Sequence, residues 1–193
     1  MPLGAVKTGL MGAAGASTTA TMEVISRYVA DGTAASVTFT SVPQTYRSLR
    51  IVLENGVRAS AAAALGLNYN SDATAGNYDW ISMYNGSTDT SYYSSYGHGD
   101  FTPGGGSDEV PLGSGTQTYW MADVEGYSNA SVGTQAQIRY GARQNNSYNH
   151  GYMGLQYSVA SAVTTLEVLS SSTTANYYFA VPTVITLFGI GSV

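Results

Sequence analysis

The sequence predicts an all-β protein, namely an antiparallel β-sandwich of jelly-roll-like type that follows an extended N-terminal arm. About nine or ten short segments alternate apolar and polar residues, and turns rich in Gly, Asn and Ser separate them. No run of helical periodicity is longer than about two turns. We therefore assign residues 1–22 to the arm and residues 23–193 to one sandwich domain.

The first 22 residues are mostly small and carry a single positive charge, Lys7. Their apolar middle, GLMGAAGA, is short and rich in glycine, which argues against a signal peptide. We expect an arm that lies across a neighbouring subunit or a larger assembly; the alternative is an arm that packs along its own domain. The candidate docking residues are Leu3, Val6, Leu10 and Met11.

A corner joins two of the predicted strands near the start of the domain. Residues 36–41 and 48–53 both alternate apolar and polar side chains, as half-buried strands do. Pro43 lies between them and cannot donate a hydrogen bond to a β-ladder, so the chain is expected to turn there. Tyr46 is expected to bury its ring and to satisfy its hydroxyl on nearby backbone, as corner tyrosines do.

Turn signals divide the rest of the domain into strands. The Asp-Gly pair within residues 31–33 supplies positive φ at low cost. Residues 87–116 are rich in Gly, Ser and Pro and are expected to form long loops, which at that length are usually functional or interfacial. The remaining predicted strands cover residues 23–30, 65–70, 77–86, 117–127, 134–143, 151–159, 162–170 and 183–190.

Charged residues make up only 10% of the chain, against a typical value of about 25%. Such a neutral surface suits a protein that buries much of itself against other subunits, and it is also common in secreted domains. The net charge is −5 and no basic stripe occurs, so a nucleic-acid groove is not expected. The absence of cysteine excludes disulfides, thiolate metal sites and cysteine catalysis. No apolar stretch approaches the roughly 20 residues that span a bilayer, and no cofactor is expected.

No catalytic site is expected from the residues. His98 and His150 lie in segments rich in Gly, Ser and Asn, and no G-x-S-x-G motif occurs. Asp123 and Glu125 are two residues apart on one predicted strand face. That spacing is more typical of a solvated face or of an interface pair for arginine than of the separated acids of a glycosidase. The protein is therefore predicted not to be an enzyme.

The segment NYNSDATAGNYD places oxygen-bearing side chains at spacings that partly resemble a calcium loop. Its sixth position is Ala73 instead of glycine, and its first position is not acidic. An Asn-rich turn is the default interpretation, and no metal site is predicted. The side chains concerned are Asn68, Asn70, Asp72 and Asp79.

Four segments resemble a class of tailed-bacteriophage virion proteins. SVPQTYRSLRIVL, which begins at Ser41, looks like their IPQTYxxL strand–corner–strand pattern, and VITLFGIGSV, which begins at Val184, looks like their C-terminal xxLYGI strand. NYDWISMYNGS and VEGYSNAS fall where such proteins carry similar segments. The resemblance covers Glu23 to the end, and Phe188 stands where the family tends to have tyrosine.

The resemblance implies a non-enzymatic structural protein on the exterior of a phage particle, either a capsid decoration (cement) protein or a tail or fibre component. It also implies a homo-oligomer, often a trimer, that is assembled into the virion in the bacterial cytoplasm. The expected partners are further copies of this chain and other virion proteins. Neither nucleic acid nor a membrane is among them.

A carbohydrate- or receptor-binding module is the alternative function, and its partner would be a host surface glycan. The chain has 16 tyrosines, and tyrosine combines a large contact area with a polar tip. Glycan binding by the isolated protein would favour this alternative, whereas tight trimerisation without it would favour the virion protein. The candidate contact residues are Tyr92, Tyr93, Tyr96, Tyr148, Tyr152, Trp80 and Trp120.

Overall fold

Two antiparallel sheets, one large and one small, make up the described part of the chain. The computed structural model describes residues 22–56, 65–74, 76–84, 87–89, 99–100, 117–144, 147–170 and 179–192. The regular elements of these residues are all β-strands, so the predicted all-β antiparallel sandwich is confirmed. They include no helix of the length and apolar character that a membrane span requires. The strands are β1 (Met22–Val29), β2 (Ser36–Phe39), β3 (Tyr46–Gly56), β4 (Leu65–Tyr69), β5 (Tyr78–Tyr84), β6 (Ser87–Asp89), β7 (Gly99–Asp100), β8 (Gln117–Glu125), β9 (Thr134–Gln144), β10 (Ser147–Tyr157), β11 (Leu166–Ser170) and β12 (Val184–Ser192).

The chain alternates between the two sheets rather than completing one before it starts the other. The large sheet has eight strands in the order β1-β12-β3-β8-β9-β10-β5-β6, and the small sheet has four in the order β2-β11-β4-β7. Neighbouring strands pair antiparallel throughout. These crossings between sheets are the jelly-roll-like feature of the topology. Among the described strands, β1 and β6 form the two edges of the large sheet.

The core lies between the two sheets. In β3, Leu49, Ile51 and Leu53 are fully buried because every second side chain of a strand points to the same face. Leu67 of β4 and Val168 of β11 face this layer from the small sheet and belong to the same apolar cluster. Burying one such side chain stabilises the fold by about 1.5–3 kcal/mol. The same alternation sets the outer face of the large sheet, where the candidate site lies.

The predicted corner at Pro43 carries the chain from the small sheet to the large one. The Tyr46 ring is partly buried against the core, but the expectation that its hydroxyl bonds to nearby backbone is wrong. Tyr127 supplies the corner hydroxyl: it donates to the Pro43 carbonyl at 2.6 Å and accepts from the Tyr46 N–H at 3.2 Å. The Tyr46 hydroxyl instead donates to Glu23 Oε2 at 2.9 Å. The two tyrosines differ in this way because they approach the corner from different positions. Tyr46 opens β3 with its ring against Gly189 of β12, while Tyr127 reaches the corner from beyond the end of β8.

The predicted strands are confirmed, with ends that shift by a few residues. The turn at residues 31–33 is also confirmed, because Gly32 has φ +89° and Asp31 accepts hydrogen bonds from the Thr33 N–H and hydroxyl. Within the predicted long loops of residues 87–116, β6 pairs with β5 and β7 pairs with β4, and the other residues lie outside the described part. The predicted arm also lies outside it, with Leu3, Val6, Leu10 and Met11.

Candidate binding surfaces

The outer face of the large sheet exposes alternate side chains of its strands. In β9, Gln135, Gln137 and Arg139 are exposed, and they alternate with Ala136 and Ile138, which are buried in the core. Because paired residues of neighbouring strands point to the same face, the strand register arranges these side chains in rows across the sheet. The rows make this face a candidate binding surface.

An ion-pair network holds the centre of this face. Asp123 of β8 accepts hydrogen bonds from Arg50 Nε on Oδ1 at 2.6 Å and from Arg50 Nη2 on Oδ2 at 3.0 Å. Arg139 Nη2 of β9 also donates to Oδ2, at 3.2 Å. The hydrogen bond with Asp123 raises the pKa of Arg50 above its ordinary value. Asp123 therefore pairs with two arginines of its own chain. Because the groups are partly exposed, each pair adds about 0–1 kcal/mol and mainly fixes side-chain positions.

A groove crosses the outer face over β5, β10 and β9. Its floor is low at Gly154, which has no side chain and pairs with Ile81 on one side and Gln137 on the other. Three depressions of about 370, 530 and 180 Å³ follow one another along it, and each shares lining residues with the next. We call it the outer groove and define it by Asp79, Ile81, Gln135, Gln137, Tyr152 and Gln156.

The two ends of the outer groove differ in chemistry. At one end Gln156 pairs with Asp79 on one side and with Gln135 on the other, so three hydrogen-bonding side chains stand in one row. At the other end Tyr152 is 56% exposed, and Tyr119 also lines that end. The groove is thus polar at one end and aromatic at the other, an arrangement that suits a ligand with both polar and apolar faces.

A second exposed surface lies at the opposite end of the same sheet face. On this face three cross-strand pairs of apolar residues join β1 to β12, and all three members from β1 are more than half exposed. The side chain of Arg27 lies on the same stretch of β1. Edge strands with exposed apolar side chains are unusual in monomeric proteins because they invite pairing with other chains. We call this surface the β1–β12 patch and define it by Met22, Val24, Val29, Val184, Phe188 and Ile190.

Two of the predicted contact residues are core residues, so their proposed role in stacking on sugars is wrong. Trp120 is 0% exposed and Trp80 is 4% exposed. Both point inward because they are in phase with the buried residues of their strands, such as Tyr78 in β5 and Val124 in β8. Such buried rings cannot reach a ligand on the surface.

The other predicted contact residues fall into two groups. Tyr152 is exposed in the outer groove, so it is the predicted contact residue that lies on a candidate binding surface. Tyr148 belongs to β10, but its side chain is not among those described. Tyr92, Tyr93 and Tyr96 lie outside the described residues.

Sequence reasoning missed most of the groove-lining residues. The signal was present in the polar alternation of TQAQIRYGAR, where Gln135, Gln137 and Arg139 mark the solvent face of β9. Ile81 and Met83 are exposed on the matching face of β5, although apolar side chains at alternate positions would normally predict burial. Exposed apolar residues on the solvent face of a strand are a feature that can indicate a binding surface.

The segment considered as a calcium loop forms an Asn-rich turn after β4, as its default interpretation predicted. The Asp72 carboxylate accepts hydrogen bonds from the Thr74 N–H at 2.9 Å, Asn77 Nδ2 at 2.7 Å and the Tyr157 hydroxyl at 2.9 Å. The Asn70 side chain accepts from the Thr164 N–H at 2.9 Å. These oxygens are thus occupied by protein donors. In the described part of the chain no group of three or more His, Asp or Glu side chains could hold a metal ion.

Hydrogen bonding controls the ionisation of Asp72. The Thr74 side chain, the Thr74 N–H, the Asn77 amide and the Tyr157 hydroxyl lower the pKa of Asp72 to about 2, against the opposing effect of burial. Burial, followed by the hydrogen bond to Asp72, raises the pKa of Tyr157 to about 12. The ring of Tyr157 lies 4.9 Å from that of Tyr78 and 5.4 Å from that of Tyr69. Asp72 therefore ties this buried tyrosine cluster to the turn.

We expect Asp72→Asn to reveal a stability contribution that depends on pH. The pKa of Asp72 is about 2 in the folded chain, below its ordinary value of 3.8, so the unfolded chain takes up the proton first as the pH falls. The difference in free energy of unfolding between wild type and Asp72→Asn should therefore be complete above about pH 5 and shrink from about pH 4 to about pH 2. Urea unfolding at a series of pH values measures it. Tyr157→Phe removes one donor and should show the same trend at smaller amplitude; a difference that is constant down to pH 2 would contradict the network.

The histidines do not form a recognisable catalytic group in the described residues. His150 lies in β10 and lines the aromatic end of the outer groove, and His98 falls outside the described part. Glu125 is exposed near the end of β8, two residues beyond the arginine-bound Asp123.

Comparison with known proteins assigns no family. No family model matches the chain, and no curated protein matches it. Three solved structures show weak similarity. A PL-14 alginate lyase from Aplysia kurodai has a TM-score of 0.30 at 6% identity, over 79% of this chain and 71% of the lyase. A protein of unknown function from Shewanella oneidensis MR-1 has a TM-score of 0.27 at 12% identity, over 89% and 75% of the two chains. An aerolysin-like protein from Bombina maxima has a TM-score of 0.14 at 11% identity, over 75% and 84%. These similarities are too weak to assign a fold or an activity.

Proposed function

We propose that this chain is a non-enzymatic structural protein on the exterior of a bacteriophage virion, where it serves as a capsid decoration protein or as a tail or fibre component. It acts through subunit–subunit contacts, forms a homotrimer and binds other virion proteins. The proposed subunit contact rests on the β1–β12 patch. The proposed location on a phage virion rests on the resemblance of the four sequence segments to phage virion proteins.

The β1–β12 patch has the composition of a subunit interface. Its exposed side chains are apolar apart from the neighbouring Arg27, and β1 is an edge strand of the large sheet among the described strands. Interfaces are depleted of charge at their centre, and this chain has few charges to place there. A second copy that covers the patch would remove Met22, Val24 and Val29 from water. Burial of each would contribute about 1–2 kcal/mol before the cost of association.

We expect the double variant Val24→Lys with Val29→Lys to dissociate the oligomer while each chain stays folded. Both valines are more than half exposed in the single chain, so lysine costs little there. At a subunit contact the two charges would lose water without partners, and the dissociation constant should rise at least about tenfold. Sedimentation velocity over a range of concentrations measures this. Val132→Lys, at an equally exposed valine in the turn between β8 and β9, is the matched control and should leave assembly unchanged.

The subunit contact and the virion location can be contradicted separately. A wild-type chain that stays monomeric at high concentration, or a double variant that assembles as wild type does, would exclude the β1–β12 patch as the contact. Antibody labelling of virus particles in electron microscopy tests the virion setting separately. Label spread over the head would favour decoration and label at the tail would favour an appendage, whereas particles without label would refute a virion role.

A further inference from the structure

A ligand in the outer groove would be recognised by side chains. The main-chain groups of β5, β10 and β9 pair with one another along the full length of the groove. An extended peptide gains much of its affinity by adding a strand to a free sheet edge, and the face of a sheet does not offer that mode. The side chains that line the groove therefore decide what it can bind.

The polar end of the groove matches hydroxyl groups. The Gln156 and Gln135 amides each offer two donors and one acceptor, and the Asp79 carboxylate, beside Gln156 in the same row, accepts. Hydroxyl groups also donate and accept, so adjacent hydroxyls of a sugar can be satisfied in pairs along this row. An anion would fit poorly, because Asp79 would repel it and the groove's arginine, Arg139, already binds Asp123 at 3.2 Å.

The other part of the groove matches an apolar ring face. Ile81 is 53% exposed and Tyr152 is exposed to a similar extent, although burial of either apolar surface would be energetically favourable. Gly154 lowers the floor between them, so that a flat ligand can approach the sheet closely. We propose that the outer groove binds a neutral oligosaccharide, whose hydroxyl groups bond to Asp79 and Gln156 and whose apolar ring faces pack on Ile81 and Tyr152.

This site is separate from the proposed subunit contact. The outer groove lies on β5, β10 and β9, with Tyr119 of β8 at one end, and the β1–β12 patch lies on β1 and β12, with β3 between the two surfaces in the sheet. The two surfaces can thus be altered independently. Failure of one proposal leaves the other standing.

Calorimetric titration of the full chain with maltohexaose, cellohexaose and chitohexaose tests the site, with hexagalacturonate as the anionic probe. At least one neutral hexasaccharide should bind. Gly154→Val fills the floor without disturbing the fold, because a Cβ at this position would lie 3.5 Å from Ile81 Cγ2. Gly154→Val and Tyr152→Ala should each weaken binding by about tenfold or more. Thr38→Lys, at an exposed position in β2 of the small sheet, is the control and should bind as wild type does.

Thermal unfolding of each variant confirms that the chain is folded when binding is measured. The inference is overturned if no neutral hexasaccharide binds, or if a folded Gly154→Val chain and a folded Tyr152→Ala chain both bind as tightly as wild type. Binding of hexagalacturonate alone would refute the neutral ligand. A Gly154→Val chain that loses its oligomeric state would identify the groove as a subunit contact and would equally overturn the inference.

Discussion

Replacing Trp120 by alanine should lower the free energy of unfolding by about 3–5 kcal/mol. Trp120 is the largest fully buried side chain of the described residues, and it lies between Leu53 of β3 and Tyr140 of β9 in the central part of the large sheet. Alanine removes most of its apolar contacts and leaves a cavity that three neighbouring strands cannot close without breaking their ladders. Urea unfolding followed by circular dichroism measures the loss.

The matched control for this prediction is Tyr152→Ala, an aromatic residue on the exposed face of the same sheet. Its truncation should change the free energy of unfolding by no more than about 0.5 kcal/mol. If instead Trp120→Ala were as stable as wild type, Trp120 would have to be a surface residue, and the assignment of the inner face would be wrong. The pair of variants thus separates a core aromatic residue from an exposed one.

The strands were predictable because local alternation alone specifies them. In β9, for example, TQAQIRY places Ala136 and Ile138 on one face and Gln135 and Gln137 on the other, and that pattern needs no partner strand to be read. Turn residues such as Gly32 then mark where each strand must end, since a positive φ interrupts the extended backbone.

The sequence also indicates which face of each strand is buried, but the many aromatic residues made that face difficult to recognise. In β8 the charged residues Asp123 and Glu125 are in phase with Tyr119, so Trp120 must belong to the opposite, inner face. The prediction that Trp80 and Trp120 contact a ligand did not take this phase into account. Aromatic side chains serve both cores and binding surfaces, and only their strand neighbours distinguish the two uses.

Contacts between distant parts of the chain could not be predicted. Tyr127 bonds to the Pro43 carbonyl across 84 residues, and Tyr157 bonds to Asp72 across 85. Each depends on which strands become neighbours, which alternation does not specify. The outer groove has the same origin: Gln156, Asp79 and Gln135 come from three strands, and only the register places them in one row.

Replacing Gly151 by valine should lower the free energy of unfolding by about 2–3 kcal/mol. Gly151 lies on the inner face of β10 beneath the ring of Tyr140, its cross-strand partner. A Cβ at this position would lie 2.5 Å from the Tyr140 ring and 2.7 Å from the Met83 carbonyl oxygen. The carbonyl belongs to the backbone of β5 and the tyrosine is buried, so neither can move aside without a shift of the sheet.

Gly154→Val, three residues further along the same strand, is the control and should have the opposite sign. It points to the outer face, where its Cβ would make an ordinary contact with Ile81. Valine also favours a strand and restricts the unfolded chain more than glycine does, so we expect a gain of about 0.4–1 kcal/mol. Urea unfolding of the two variants measures both changes in the free energy of unfolding. Equal effects would show that glycine's backbone freedom governs both positions, whereas opposite signs would establish that the Tyr140 ring requires glycine at position 151 and that the groove floor at position 154 has room for a side chain.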